Sequence, residues 1–138
     1  GELTESDFSN LKEKEIEFEN YINVDKKELE GLYLKADLVT FPSLHEGFGL
    51  PIIEGQASRT PVITSNFSPM SEVAGKGAIL IDPLDVNSMT ESIKRVLSDI
   101  EFTRKLVMRG LDNAKLYSAE AVASKHLEYY KWILDSKS

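Results

Sequence analysis

No cysteine occurs anywhere in the 138 residues, so the chain can form no disulfide and no cysteine-based zinc site. That usage suits a reducing cytosol. Long apolar runs are missing too: none approaches the roughly 20 residues that a membrane-spanning helix needs. Nor do the first residues show a charged-then-apolar leader pattern. Positive charge is scarce, with 16 Lys and Arg against 23 Asp and Glu and a net charge of −7. This argues against nucleic acid or an anionic membrane binding to the surface as a whole, but leaves room for a local anion site built of backbone amides. Only two histidines are present, His45 and His126, too far apart in sequence to suggest a metal pair.

What is present is ordinary for a folded domain: 41% hydrophobic and 28% charged residues. The length corresponds to one domain, residues 1–138. Periodicity alternates along it. Residues 6–15 read as a weakly amphipathic helix with Phe8 and Leu11 on one side, and 16–22 alternate apolar and polar like a half-exposed strand. Asp25 with Glu28 makes a capping-box-like start to a helix over 24–36, striped by Leu29, Leu32, Tyr33 and Ala36.

Short apolar runs at 37–41, 61–65 and 77–82 have the character of strands covered on both faces, as in a parallel sheet. A loop and helix over 42–59 and a short turn or helix at 68–74 separate them. Helices follow at 85–99, 100–117 and 118–136, with a natural break at Tyr117-Ser118. The expected fold is α/β: a Rossmann-like parallel sheet of about four strands with flanking helices and a helical C-terminal tail. Doubly wound sheets usually open on a strand leading into a glycine-rich turn. Here a helix comes first, so the chain reads as a fragment, with Gly1 as the tail of a preceding strand.

Residues 42–66, PSLHEGFGLPIIEGQASRTPVITSN, carry the chemistry. A strand ends and a helix must begin within a few residues. Gly47 and Gly49 allow backbone angles that other residues resist and let a ligand approach the main chain. Pro51 suits a first helical turn. The amides near Phe48, Gly49 and Leu50 would then face outward at a positive helix end, where phosphates bind. This is also the carboxyl edge of the sheet, the usual ligand edge of open α/β folds. Glu54, one turn further in, can accept two hydroxyls at once, as a ribose diol offers, and Glu46 precedes the turn. One nucleotide-sugar would use both acids and the amides between them.

Other readings of the same residues stand beside this one. Either glutamate can be a solvated surface charge, and a glycine-rich strand-to-helix turn is a weak signal alone. A glycosidase pair needs its carboxyl groups about 5–10 Å apart across a sugar; eight helical residues already span about 12 Å, although Glu46 precedes the helix and can fold back.

The run at 42–66 closely resembles the C-terminal nucleotide-binding domain of retaining GT-B glycosyltransferases of family 4. Their signature is two glutamates separated by seven residues, with Phe-Gly-Leu-Pro between them and Pro-Val-Ile after, here carried by Glu46 and Glu54. Residues 68–85 and 21–43 match the flanking blocks, so the resemblance covers about 15–134. It implies a donor domain binding a UDP-, GDP- or ADP-sugar, without a metal or other cofactor. Glu46 would be the catalytic acid near the donor sugar and Glu54 the ribose ligand. The backbone of Gly47, Phe48, Gly49 and Leu50 would contact sugar and diphosphate, and Asn23 and Val24 would border the base. A sugar or lipid-linked acceptor would come through an N-terminal domain that this chain lacks, as it lacks the family's upstream phosphate-binding Arg and Lys. The location implied is cytoplasmic, with a peripheral contact at the inner face of the membrane admitted.

Two positions depart from the family pattern: Arg59 stands where a small residue, commonly glycine, precedes Thr-Pro-Val, and Lys76 where an acid is common. Ser65 and Asn66 end a strand on the ligand side and are candidate donor contacts, although turn and capping roles explain them more simply. Glu72 falls in a turn that the family places near the donor. His45 adjoins Glu46, and His126 reads as surface. Aromatics at 129–134, with Lys125, Lys131 and Lys137, suit packing or a weak membrane-surface contact. The rival functions are a non-catalytic nucleotide-binding or interaction module and, less favoured, a nucleotide-sugar epimerase.

Overall fold

The computed structural model describes residues 2–136 of the chain. Gly1 and Lys137, named above, lie outside them. The chain divides into two compact units, Gly1–Gly31 and Leu32–Ser138, each described by itself.

In the first unit, α1 spans Glu5–Glu13 and α2 begins at Lys26, running on to Lys35. Thr4 caps α1 in a full capping box: its amide donates to Asp7 Oδ2 at 2.9 Å, and the Asp7 amide donates to Thr4 Oγ1 at 3.2 Å. The Thr4 hydroxyl, then its amide, hold the Asp7 carboxyl below the ordinary carboxylate value. Asp25 starts α2 by accepting from the Glu28 amide at 2.8 Å. The strand expected at 16–22 does not form. All seven residues are exposed coil or turn, and Phe18 instead meets Phe8, ring centroids 5.6 Å apart. Alternation marks a segment that could be a strand, but a strand also needs a neighbour for its amides and carbonyls.

The second unit holds the sheet, which has three strands rather than four. They are β1 (Val39–Phe41), β2 (Val62–Ser65) and β3 (Ile79–Ile81), all parallel in the order β1-β2-β3. Val39 pairs with Val62 and Phe41 with Thr64; Ile63 pairs with Ile79 and Ser65 with Ile81. The central strand is buried throughout, its polar Thr64 and Ser65 included. Helix α3 (Leu50–Ala57) crosses from β1 to β2, and α4 (Met70–Ala74) from β2 to β3. Helices α5 (Val86–Ser98), α6 (Ile100–Lys115) and α7 (Ala119–Asp135) complete the chain.

Alternation along β2 splits the core in two. Val62 packs with Ile52, Met70, Val73 and Ala74 from α3 and α4; Ile63 packs with Ile81, Val96 and Leu106, joining α5 and α6. The three last helices start where side-chain caps stand. Asp85 accepts from the Ser88 amide, Asp99 from that of Phe102, and Ser118 from that of Ala121. Between α5 and α6 the Arg95 guanidinium lies 3.7 Å over the Phe102 ring. No α7 residue is buried. Among the described residues no helix is long and apolar enough to cross a membrane.

Candidate functional site

At the carboxyl edge of the sheet, β1 must hand over to α3, and Gly49 makes the corner. It caps α3 with φ 99° and ψ 50°, a left-handed conformation that side chains resist. A Cβ there would stand 3.0 Å from Ile52 Cδ1. Gly47, the other glycine of the turn, has no positive φ and open space around it. The tight turn therefore rests on Gly49. Pro51 sits in the first turn of α3, and no side chain caps that end. The first backbone bond there runs from the Ile52 amide to the Gly49 carbonyl, 3.0 Å. Among the described residues no loop bond takes up the amides of Gly47, Phe48 or Gly49. The Leu50 amide, at the helix start, has no intrahelical partner.

A hydroxyl bonds each acid, one from the same loop and one from α2. Ser43 Oγ shares its one proton between Glu46 Oε1 at 3.2 Å and the His45 carbonyl at 3.1 Å, which braces the exposed loop. Tyr33 Oη donates to Glu54 Oε2 at 2.9 Å across a half-buried contact. Burial first, and the Glu54 carboxylate second, push the Tyr33 phenol above its ordinary value, so it remains a proton donor. Its backbone is anchored as well, because Thr60 Oγ1 donates to the Tyr33 carbonyl at 2.8 Å.

Phe48 and Leu50 are exposed, and Phe48 meets Tyr117 edge-on with centroids 5.7 Å apart. Glu54 is half-buried beside the fully buried Ile52. Ser65 has no exposed surface, and its hydroxyl donates to the Ser43 carbonyl. In this structure it therefore acts on the loop that carries Glu46. Asn66 continues the ladder, its amide donating to the Ile81 carbonyl at 2.8 Å. Asn23 and Val24 belong to the first unit, where Asn23 is exposed with φ 57° and Val24 is half-buried. Glu72 accepts from Ser68 Oγ at 2.7 Å at the start of α4. His45 is exposed, and His126 Nδ1 lies 2.8 Å from the Val122 carbonyl on α7.

Sequence reasoning missed the clamp behind the site. Gln56, 1% exposed, donates through Nε2 to the Ala74 carbonyl at 3.0 Å. Asn113 Nδ2 donates to Gln56 Oε1 and to the Val73 carbonyl, both at 2.8 Å. Thus α6 and α4 lock the helix that bears Glu54. The available signal was a second polar residue, beside Glu54, inside a mainly apolar helix. Open grooves of about 490 and 240 Å³ are lined by Lys125, Glu128, Tyr129 and Trp132, and by Lys125, His126, Tyr129 and Tyr130. All of these belong to α7 and none to the 46–54 turn. Among the described residues no group of three His, Asp or Glu is arranged to hold a metal ion.

Residues 5–112, which include both acids and the whole sheet, match the family described as glycosyl transferases group 1. The chain belongs to that family. It is 35% identical to O-antigen chain mannosyltransferase B of Escherichia coli over 108 residues, 78% of this chain and 28% of the relative. Over 73 residues it is 44% identical to the O-antigen chain mannosyltransferase RfbU of Salmonella typhimurium, 53% of this chain and 21% of that one. It spans about a quarter of the length of such relatives.

The sucrose-phosphate synthase of Thermosynechococcus elongatus superposes with a TM-score of 0.76 at 27% identity, covering 94% of this chain and 34% of that one. The C-terminal domain of a glycosyl transferase group 1 family protein (LpcC) from Francisella tularensis superposes at 0.72 and 26% identity, covering 83% and 62%. The expected C-terminal GT-B glycosyltransferase fold, with its parallel sheet, flanking helices and helical tail, is met.

Proposed function

We propose that this chain is the donor-binding part of a retaining glycosyltransferase of family 4, and that it holds a nucleoside-diphosphate sugar at the 46–54 turn. The observation that carries the reading is the left-handed Gly49 at the start of α3, with Glu46 and Glu54 on either side of it and unbonded amides between them. In this reading the amides of Gly47 to Leu50 stabilise the negative charge that grows on the departing diphosphate. Glu54 accepts the ribose hydroxyls and so positions the anomeric carbon. Glu46 acts beside the donor sugar. No metal or other cofactor is assigned a part.

Several relatives are named as mannosyltransferases, which favours a hexosyl group such as mannosyl as the cargo. The acceptor, a sugar or lipid-linked hydroxyl, and the transfer itself belong to a longer protein that includes an acceptor domain. Ser65 serves the site through the Ser43 loop in this reading.

The test is a ligand-detected magnetic resonance titration of the chain with UDP, GDP, ADP and their hexose conjugates, repeated on Glu54→Ala. One base should bind well above the others. Losing a hydrogen bond to a charged group should then weaken that binding roughly 10- to 100-fold in Glu54→Ala. Equal binding by wild type and variant, or no binding by either, would put the non-catalytic interaction module ahead.

A further inference from the structure

Tyr33 falls outside the two-glutamate turn, yet its phenol is the one described side chain bonded to Glu54. A carboxylate on a helix can swing through several rotamers, and a ligand that needs one of them must select it on binding. Here one lone pair of Glu54 Oε2 is taken by Tyr33 at 2.9 Å. Oε1 and the second lone pair of Oε2 remain as acceptors. The donor is itself fixed at two points: its ring is half-buried within the second unit, and its carbonyl accepts from Thr60, which is 4% exposed. Behind Glu54, Gln56 and Asn113 hold α3 to α4 and α6. The carboxylate is thus set from both sides before any ligand arrives.

We infer that Tyr33 is a positioning residue that presets the Glu54 carboxylate for a vicinal diol, and so sets the preference for ribonucleotides over 2′-deoxyribonucleotides. The inference rests on the donor-site reading above. It makes Tyr33 a source of selectivity rather than of general affinity, because a nucleotide without the 2′-hydroxyl gains little from a preset carboxylate. A purely structural tyrosine would instead support all nucleotides equally.

The experiment titrates the wild-type chain and Tyr33→Phe with UDP, GDP and ADP and with the 2′-deoxy form of each, following amide chemical shifts. Tyr33→Phe removes one oxygen and keeps the ring, and the amide spectrum away from α2 and α3 reports an unchanged fold. Wild type should prefer the ribose form of its base by about tenfold, the worth of a hydrogen bond to a charged group. Tyr33→Phe should cut that preference at least threefold and leave binding of the deoxy form unchanged within twofold. A preference that is the same in both proteins, whatever their absolute affinities, overturns the role of Tyr33 and leaves the donor site standing. A wild-type chain that binds none of the six nucleotides, or binds ribose and deoxyribose forms equally, overturns the donor-site reading itself, and the role of Tyr33 falls with it.

Discussion

Arg59 occupies the position just after the α3 C-cap with φ 61°, in the left-handed region where a side chain is strained. Its amide donates to the Gln56 carbonyl at 3.2 Å and that of Thr60 to the Gly55 carbonyl at 3.0 Å, the paired bonds of a Schellman ending. Glycine is the usual residue at such a point, which gives the family's small residue a physical reason and makes Arg59 a local cost. Arg59→Gly should stabilise the fold by about 0.5–1 kcal/mol, after the looser unfolded chain is set against the relieved strain. Thermal unfolding should show a rise of about 2–4 °C. No rise would mean that the cation at the end of α3 compensates fully.

Gly49 is the opposite case, a left-handed corner occupied by the residue that suits it. Gly49→Ala should cost about 1–2 kcal/mol in denaturant unfolding, and should weaken nucleotide binding as the amides of the turn shift. Tyr33 gives a pH signature. Its phenol is raised in the fold by burial and by Glu54, so it binds its proton more tightly folded than unfolded. The resulting stability is fully present below the ordinary tyrosine value of about 10 and is lost as pH rises above it. Melting temperature should therefore fall less steeply above pH ~10 in Tyr33→Phe than in wild type. Parallel curves would contradict the raised phenol.

Among the elements, α3 matters most, because it bears Glu54 and is tied through Gln56 to α4 and α6. Asn113→Ala should destabilise the chain by about 1–3 kcal/mol in urea unfolding, since Gln56 Oε1 is then left buried without its donor. A change within about 0.5 kcal/mol, as at an exposed site, would show that water takes over.

The legibility of each element tracks the range of the interaction that makes it. Helices α5 to α7 were readable because caps at Asp85, Asp99 and Ser118 act within three residues. The three strands were readable from short, mainly apolar runs, although only β2 is buried throughout and β1 and β3 each expose their middle residue. Residues 16–22 misled because alternation is local while strand pairing is not. The Gln56–Asn113 bond joins residues 57 apart, and the Tyr33–Glu54 bond residues 21 apart. No periodicity encodes either. The turn at 46–54 was legible as a glycine corner between two acids, but not which glycine carries the strain.

At the scale of the whole molecule, the sheet and its two-sided core bring one edge feature forward, the turn between β1 and α3. The other conspicuous surface is α7, where Val122, Leu127, Tyr129, Tyr130, Trp132 and Leu134 are all exposed and the two described grooves lie. These surfaces compete as places for a small ligand, and the open grooves lie at the second. Chemistry favours the first, where a left-handed glycine, free amides and two braced carboxylates meet. The deciding measurement is an amide chemical-shift map of the chain saturated with its preferred nucleoside diphosphate. The account predicts the largest shifts at Gly47, Phe48, Gly49 and Leu50 and along the first turn of α3, with α7 silent. Largest shifts at Lys125, Tyr129 and Trp132, with the 46–54 turn unmoved, would contradict it.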